Sequence, residues 1–145
     1  MDWVYLLTGF EGRISRQPFW IAILVVFAAE IAVQYVAQQI EGDRLGAIVD
    51  LAFSYVEFAI FAKRGHDRDV STWVPGSIFL ISALIDLVVV LGLGTLHGEA
   101  SAVQYVTIPL TIFSFVLLVD FGLRPGTAGP NRFGPDPLAQ RGLPQ

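Results

Sequence analysis

The chain has 145 residues, 54% of them hydrophobic and only 15% charged, with a formal net charge of -4 and no cysteine. A soluble domain carries about 25% charged residues, so the deficit argues against an ordinary soluble domain, while the length suits a single domain. The absence of cysteine excludes disulfides, thiolate metal sites and cysteine nucleophiles.

The N-terminal stretch MDWVYLLTGFEGR lacks a basic start, an apolar core and a small-residue cleavage site, so no cleaved signal peptide is expected. Trp3, Leu6, Leu7 and Phe10 recur at helical spacing, which predicts a short helix lying in the membrane interface. Beyond Arg16 the apolar runs begin. A helix crossing a bilayer needs about 20 mostly apolar residues, and four runs qualify: Phe19 to Ile40, Leu45 to Ala62, Val74 to Leu96, and Tyr105 to Leu123. None alternates polar with apolar residues as a barrel strand does. In lipid each backbone polar group must bond internally, so these runs are read as helices.

The connections at Glu41–Arg44 and His97–Gln104 are short, which makes consecutive helices antiparallel neighbours. After Leu123 the composition turns to Gly, Pro and polar residues, a non-helical tail. Of nine lysines and arginines, only Arg44 falls on the far side of the spans; Arg13, Arg16, Lys63, Arg64, Arg68, Arg124, Arg132 and Arg141 share one side. That bias predicts cytoplasmic termini and a cytoplasmic central loop.

The central stretch KRGHDRDVSTW, Lys63 to Trp73, admits two readings. In a catalytic one, His66 and Asp67 activate Ser71. Residues adjacent in sequence rarely have that geometry, and a metal site would need more ligands. The other histidine, His97, lies across the membrane in this topology. The plainer reading is a charged turn that fixes topology, with basic residues toward anionic headgroups and Trp73 anchoring the third span. Two stretches share its side: FEGRISRQPFW, Phe10 to Trp20, and GTAGPNRFGPDP, Gly126 to Pro137. In the latter, Asn131 can bond its own backbone, and the prolines around Phe133 favour a definite path. Arg13, Arg16, Arg64, His66, Asp67, Asn131, Arg132 and Asp136 are therefore expected to converge in a cytoplasmic polar cluster.

The apolar runs also contain acids: Glu30, Asp50, Glu57, Asp86 and Asp120. Each costs about 2.5–3.5 kcal/mol at the centre of a membrane on insertion scales. Glu30 lies about 16 Å along the helix from Phe19, near the midplane. Arg64 or Arg124 can reach Glu57 and Asp120 near the cytoplasmic end. Polar residues recur beside the acids at helical spacing: Gln34 and Gln38 with Glu30, Ser54 with Asp50 and Glu57, Ser82 with Asp86, and Thr107, Thr111 and Ser114 together. Such stripes turn inward and bond across helices. They form a structural network, a path for protons or cations, or a face for another membrane protein.

FEGRISRQPFW, KRGHDRDVSTW and GPNRFGPDP, in this order and separated by apolar spans, resemble the three motifs of a bacterial inner-membrane family catalogued as domain of unknown function 805. The resemblance covers about Met1 to Pro137. The family's Gly-Arg falls on Gly12 and Arg13, its Arg-His-Asp on Arg64, His66 and Asp67, and its Asn-Arg-aromatic-Gly on Asn131 through Gly134. Lys63 stands where a second arginine is usual, and Gly65 where leucine is usual. The resemblance implies a multi-pass protein of the bacterial inner membrane and brings no activity with it.

The expected fold is therefore an all-α membrane protein: one domain over residues 1–137, a four-helix antiparallel bundle with an N-terminal interfacial helix, and a flexible tail over residues 138–145. The leading functional expectation is a non-enzymatic protein acting on a protein or lipid partner through the cytoplasmic cluster. A small proton- or cation-conducting protein using Glu30 and Asp86 is the alternative, and a lipid-headgroup enzyme using His66 and Asp67 the third. Anionic lipid headgroups, a membrane-protein partner or further copies of the chain are the expected partners. No cofactor, metal or nucleic acid is expected: no phosphate-binding loop occurs and no basic cluster has the needed size.

Overall fold

The computed structural model describes residues 2–40, 43–91 and 102–139. They form five helices: α1 (Trp3–Leu7), α2 (Arg16–Ile40), α3 (Asp43–Asp67), α4 (Trp73–Val90) and α5 (Ala102–Leu123), with no strand among the described residues. By length and composition α2, α4 and the Arg44–Asp67 part of α3 can each cross a membrane; Thr107–Leu123 of α5 is a shorter apolar helix. The connection His97–Gln104, the end of the third expected span and the final tail residues fall wholly or largely outside the described residues.

α1 is shorter than its apolar spacing suggests. Asp2 caps it by accepting the Tyr5 N–H at 3.0 Å. Its Leu6 is buried in the protein core and Phe10 lies beyond the helix, against Tyr55 and Phe58 of α3. The N-terminal segment thus packs on α3 as much as it offers a face to an interface. α2 begins three residues ahead of the expected span. Pro18 lies in its first turn, where the N–H would have no helical partner in any case. Phe19, Ala22, Ile23 and Val26 then recur at helical spacing and are buried.

The largest departure from the sequence reading is in α3. Its helix does not stop at Ala62 but continues through Lys63–Asp67, so half of the supposed charged loop is helical. Arg64 and His66 in the last turn suit the negative end of the helix dipole. The helix then closes with the Val70 N–H on the Gly65 carbonyl and the Asp69 N–H on the His66 carbonyl, while Asp69 takes the left-handed conformation at φ 59°. This is the hydrogen-bond pattern of a Schellman motif, with aspartate where glycine is usual. A Cβ at Gly65 would lie 3.4 Å from the Phe121 ring, an ordinary packing contact.

α3 packs against both α2 and α4, α1 lies across α3, and α5 makes lighter contact with α2, α3 and α4. The buried apolar core gathers at one end of the helices, around Phe19, Ile23, Val26, Ile60, Phe61 and Phe121. Large apolar side chains elsewhere face outward, including Leu24, Ile31, Tyr35, Ile108 and Phe115. On a soluble protein so much exposed apolar surface would be an aggregation hazard; in lipid it is the expected contact surface.

Candidate functional site

Two polar constructions stand out, one at the well-packed end and one in the middle of the helices. The first centres on Asp67, the last residue of α3. Its Oδ1 accepts from Arg13 Nε at 3.2 Å and Nη2 at 3.1 Å, and its Oδ2 pairs with Arg64 Nη1. All three side chains are nearly inaccessible to solvent. The remaining guanidinium donors find backbone carbonyls. Arg13 donates to Gly129, Gly134 and Thr127 at 2.8, 3.1 and 2.7 Å. Arg64 donates to Phe121 at 2.7 Å and also to Arg124 and Ile14. The pair thus ties α3 to the segment before α2, to the end of α5 and to the C-terminal loop. Charges removed from water need this full set of partners.

His66 sits beside the pair but does not join it. Nδ1 donates to the Gly12 carbonyl at 3.1 Å, which leaves Nε2 to accept from the Thr72 hydroxyl at 2.6 Å. The ring stacks on Phe133 at 3.8 Å. Asn131 Nδ2 donates to the His66 carbonyl at 2.8 Å, and Asn131 Oδ1 accepts from the Phe133 N–H at 2.9 Å, so the side chain bonds its own loop as expected. Asp136 accepts from the N–H groups of Leu138 at 2.8 Å and Gly129 at 3.0 Å. These two bonds hold its carboxyl below the ordinary value of 3.8. Burial lifts the nearby Tyr5 phenol above its ordinary value.

Of the expected cluster, Arg13, Arg64, His66, Asp67, Asn131 and Asp136 converge. Arg16 and Arg132 lie exposed at the rim: Arg16 bonds the Leu123 carbonyl at 3.3 Å and Arg132 pairs with Asp69 at 3.0 Å. Several members were not foreseen. Lys63, read only as a topology signal, is 1% exposed and donates to the carbonyls of Leu6, Thr8 and Gly9 at 3.2, 3.0 and 2.7 Å. Thr127 bonds Asp67 through both its N–H at 2.7 Å and its hydroxyl at 3.0 Å. Gly126 leaves room for the Asp67 carboxylate; a methyl group there would overlap it. Gly126→Ala is therefore expected to destabilise the protein by about 1–3 kcal/mol, the usual cost of overpacking, read as a lower thermal midpoint in detergent. An unchanged midpoint would mean that the loop moves aside freely.

The second construction is a cavity of about 420 Å³ between α2, α3, α4 and α5. Glu30, Asp50, Glu57 and Asp86 line it, with Ser54, Ser82, Thr111 and Ser114 between them. Among the described residues that line it there is no lysine or arginine. Glu30 reaches it from α2 and Glu57 from α3. The Glu57 Oε1 atom is buried without a hydrogen-bond partner. Gln34 bridges Asp50 and the Gly46 carbonyl at the edge of this group. Among the described residues no cluster has the geometry of a metal centre.

The fifth acid, Asp120, stands apart from the cavity. It pairs with Arg68 and with Arg124, the latter at 2.7 Å, at the Asp67 end. Arg124 thus reaches Asp120 as the sequence suggested, whereas Arg64 reaches Asp67 and not Glu57. The polar stripes made the four cavity acids findable. Nothing in the sequence marked Arg68 as the bridge between α3 and α5.

A family model described as "Protein of unknown function (DUF805)" matches residues 7–135. The inner membrane protein YhaH of Escherichia coli strain K12 is 26% identical over 147 aligned residues, covering 94% of this chain and 97% of the relative. Its counterpart in Escherichia coli O157:H7 matches to the same extent. No solved structure matches the chain.

Proposed function

Because the chain belongs to the family described as protein of unknown function (DUF805), with relatives named as inner membrane proteins, we propose a function from its own geometry. It is a non-enzymatic carrier or conductor of protons or small cations, with the acidic cavity as its working part. The apolar helices α2 to α5 form an antiparallel bundle across the inner membrane. The Asp67 end and both termini are cytoplasmic, following the positive-inside bias. The single observation that carries this reading is the cavity lined by Glu30, Asp50, Glu57 and Asp86, with no lysine or arginine among its described lining residues. Acids so placed are costly in a membrane and are read by default as functional.

The cavity lies within one chain, so the reading needs no second copy. The cytoplasmic cluster supports a lock better than a docking site or a catalytic centre, since its donors are spent on internal carbonyls. His66 has both nitrogens engaged, and Asp67 serves two arginines rather than orienting an imidazole. Arg16, Arg124 and Arg132 are exposed at the rim and can face anionic headgroups.

The test is proton and cation flux in proteoliposomes. The wild-type protein is expected to give flux, and Glu30→Gln and Asp86→Asn each to lower it by at least about tenfold, equivalent to about 1.4 kcal/mol of barrier. Folded wild-type protein without flux would remove this reading.

A further inference from the structure

We propose that the acidic cavity binds an organic ammonium ion, a protonated amine on an aromatic body, with its nitrogen held by the carboxyls and its rings by phenylalanines. The inference deepens the proposed reading by naming the cargo, and rests on it only for the movement of that cargo across the membrane.

Acids and hydroxyls are not the whole lining. Phe27, Phe61, Phe79 and Phe115 line the cavity as well. On three helices a phenylalanine and an acid share the cavity face. Phe27 and Glu30 are about one turn apart on α2, Phe61 and Glu57 about one turn apart on α3, and Phe79 and Asp86 about two turns apart on α4. In each pair the phenylalanine is nearer the Asp67 end, where α2 and α4 begin and α3 stops. The cavity therefore has an aromatic tier toward that end and an acidic tier beyond it. Phe61 and Phe79 adjoin, with ring centroids 5.6 Å apart, and Phe61 also packs on Phe19 and Phe121. That part of the tier is thus set before a ligand arrives.

A proton or a bare metal ion gains nothing from an aromatic tier. An ammonium on an aromatic body uses both tiers: the carboxyls offset its charge, and the phenylalanines accept its apolar surface. Glu57 adds a separate observation, because its Oε1 is buried without a hydrogen-bond partner. An ammonium N–H is a donor of the kind that this oxygen lacks. The volume of about 420 Å³ also falls within the range of about 300–1,000 Å³ usual for small-molecule sites.

The probe is proflavine, a fluorescent aromatic amine that carries a positive charge at neutral pH. Its anisotropy is read as the full-length protein is added in detergent, with protein-free micelles as the blank. Saturable binding is expected. Naphthylmethylammonium is expected to displace it at concentrations at least about tenfold lower than methylammonium, which lacks the rings, or naphthylmethanol, which lacks the charge. Glu57→Gln and Phe27→Leu are each expected to weaken binding by at least about tenfold, with thermal midpoints showing that both fold. If either does not fold, Asp86→Asn replaces the first and Phe115→Leu, at an exposed ring, the second. No saturable binding, equal displacement by methylammonium or by naphthylmethanol, or folded variants that bind like the wild type would each overturn the site. Amine binding without flux in proteoliposomes would retain the site and remove the transport reading; proton or inorganic-cation flux without amine binding would do the reverse.

Discussion

Asp67→Ala is expected to lower the stability of the folded protein by about 3–5 kcal/mol, the loss associated with removing one partner of a buried ion pair. Among the described residues, Asp67 is the anion paired with both Arg13 and Arg64, and the three form a latch between α3, the segment before α2 and the C-terminal loop. Both guanidinium groups are essentially inaccessible, at 1% and 0% side-chain exposure. Without Asp67 they stay surrounded by carbonyl oxygens, which satisfy their hydrogens but do not neutralise two positive charges. Each is then an uncompensated charge in a poorly solvated place. The effect should appear as a lower midpoint of denaturant unfolding in detergent micelles, followed by tryptophan emission. Trp20 is a suitable reporter, because its indole N–H bonds the Gly122 carbonyl at 3.0 Å between α2 and α5. Asp67→Asn should be milder, keeping the shape and one acceptor. A change below about 1 kcal/mol for the alanine variant, the range of exposed ion pairs, would mean that the arginines reach solvent and that no latch exists.

The difference between the two constructions also explains what the sequence could and could not disclose. The apolar runs announce helices because length and composition suffice for that. The acids at Glu30, Asp50, Glu57 and Asp86 announce themselves because they interrupt such runs, and their serine and threonine companions at helical spacing show that the interruptions share faces. The latch was legible only as a list of members. Lys63 looks like part of a loop, since in isolation a charged residue at the end of an apolar run belongs in water. Its burial depends on the carbonyls of Leu6, Thr8 and Gly9, which converge only once α1 has folded onto α3. Three strong acceptors then outweigh the preference of the ammonium for water. The continuation of α3 to Asp67 has the same origin, since its last turn is stabilised by partners more than fifty residues away in sequence, from Arg13 to Phe121. Thr127 offers no signal at all: its role comes from where the loop happens to pass Asp67.

Glu57→Gln is expected to abolish flux while leaving stability unchanged within about 1 kcal/mol, or raising it. Replacing a poorly satisfied buried acid by a neutral group of similar shape is commonly neutral or stabilising. Glu57 is the candidate for this separation because its Oε1 is buried without a hydrogen-bond partner and it lines the cavity together with a second acid, Glu30. The amide of glutamine keeps the size and polarity of the side chain, but it cannot take up or release a proton near neutral pH. A functional site commonly carries such a local cost to stability, and removing the cost should remove the function with it. Two measurements on the same preparation are needed: unfolding in detergent and flux after reconstitution. Loss of flux with an intact fold would make Glu57 part of the path. Flux equal to wild type would confine the path to Glu30 and Asp86, and a collapsed fold would make the Glu57 carboxyl a structural element of the bundle rather than a relay.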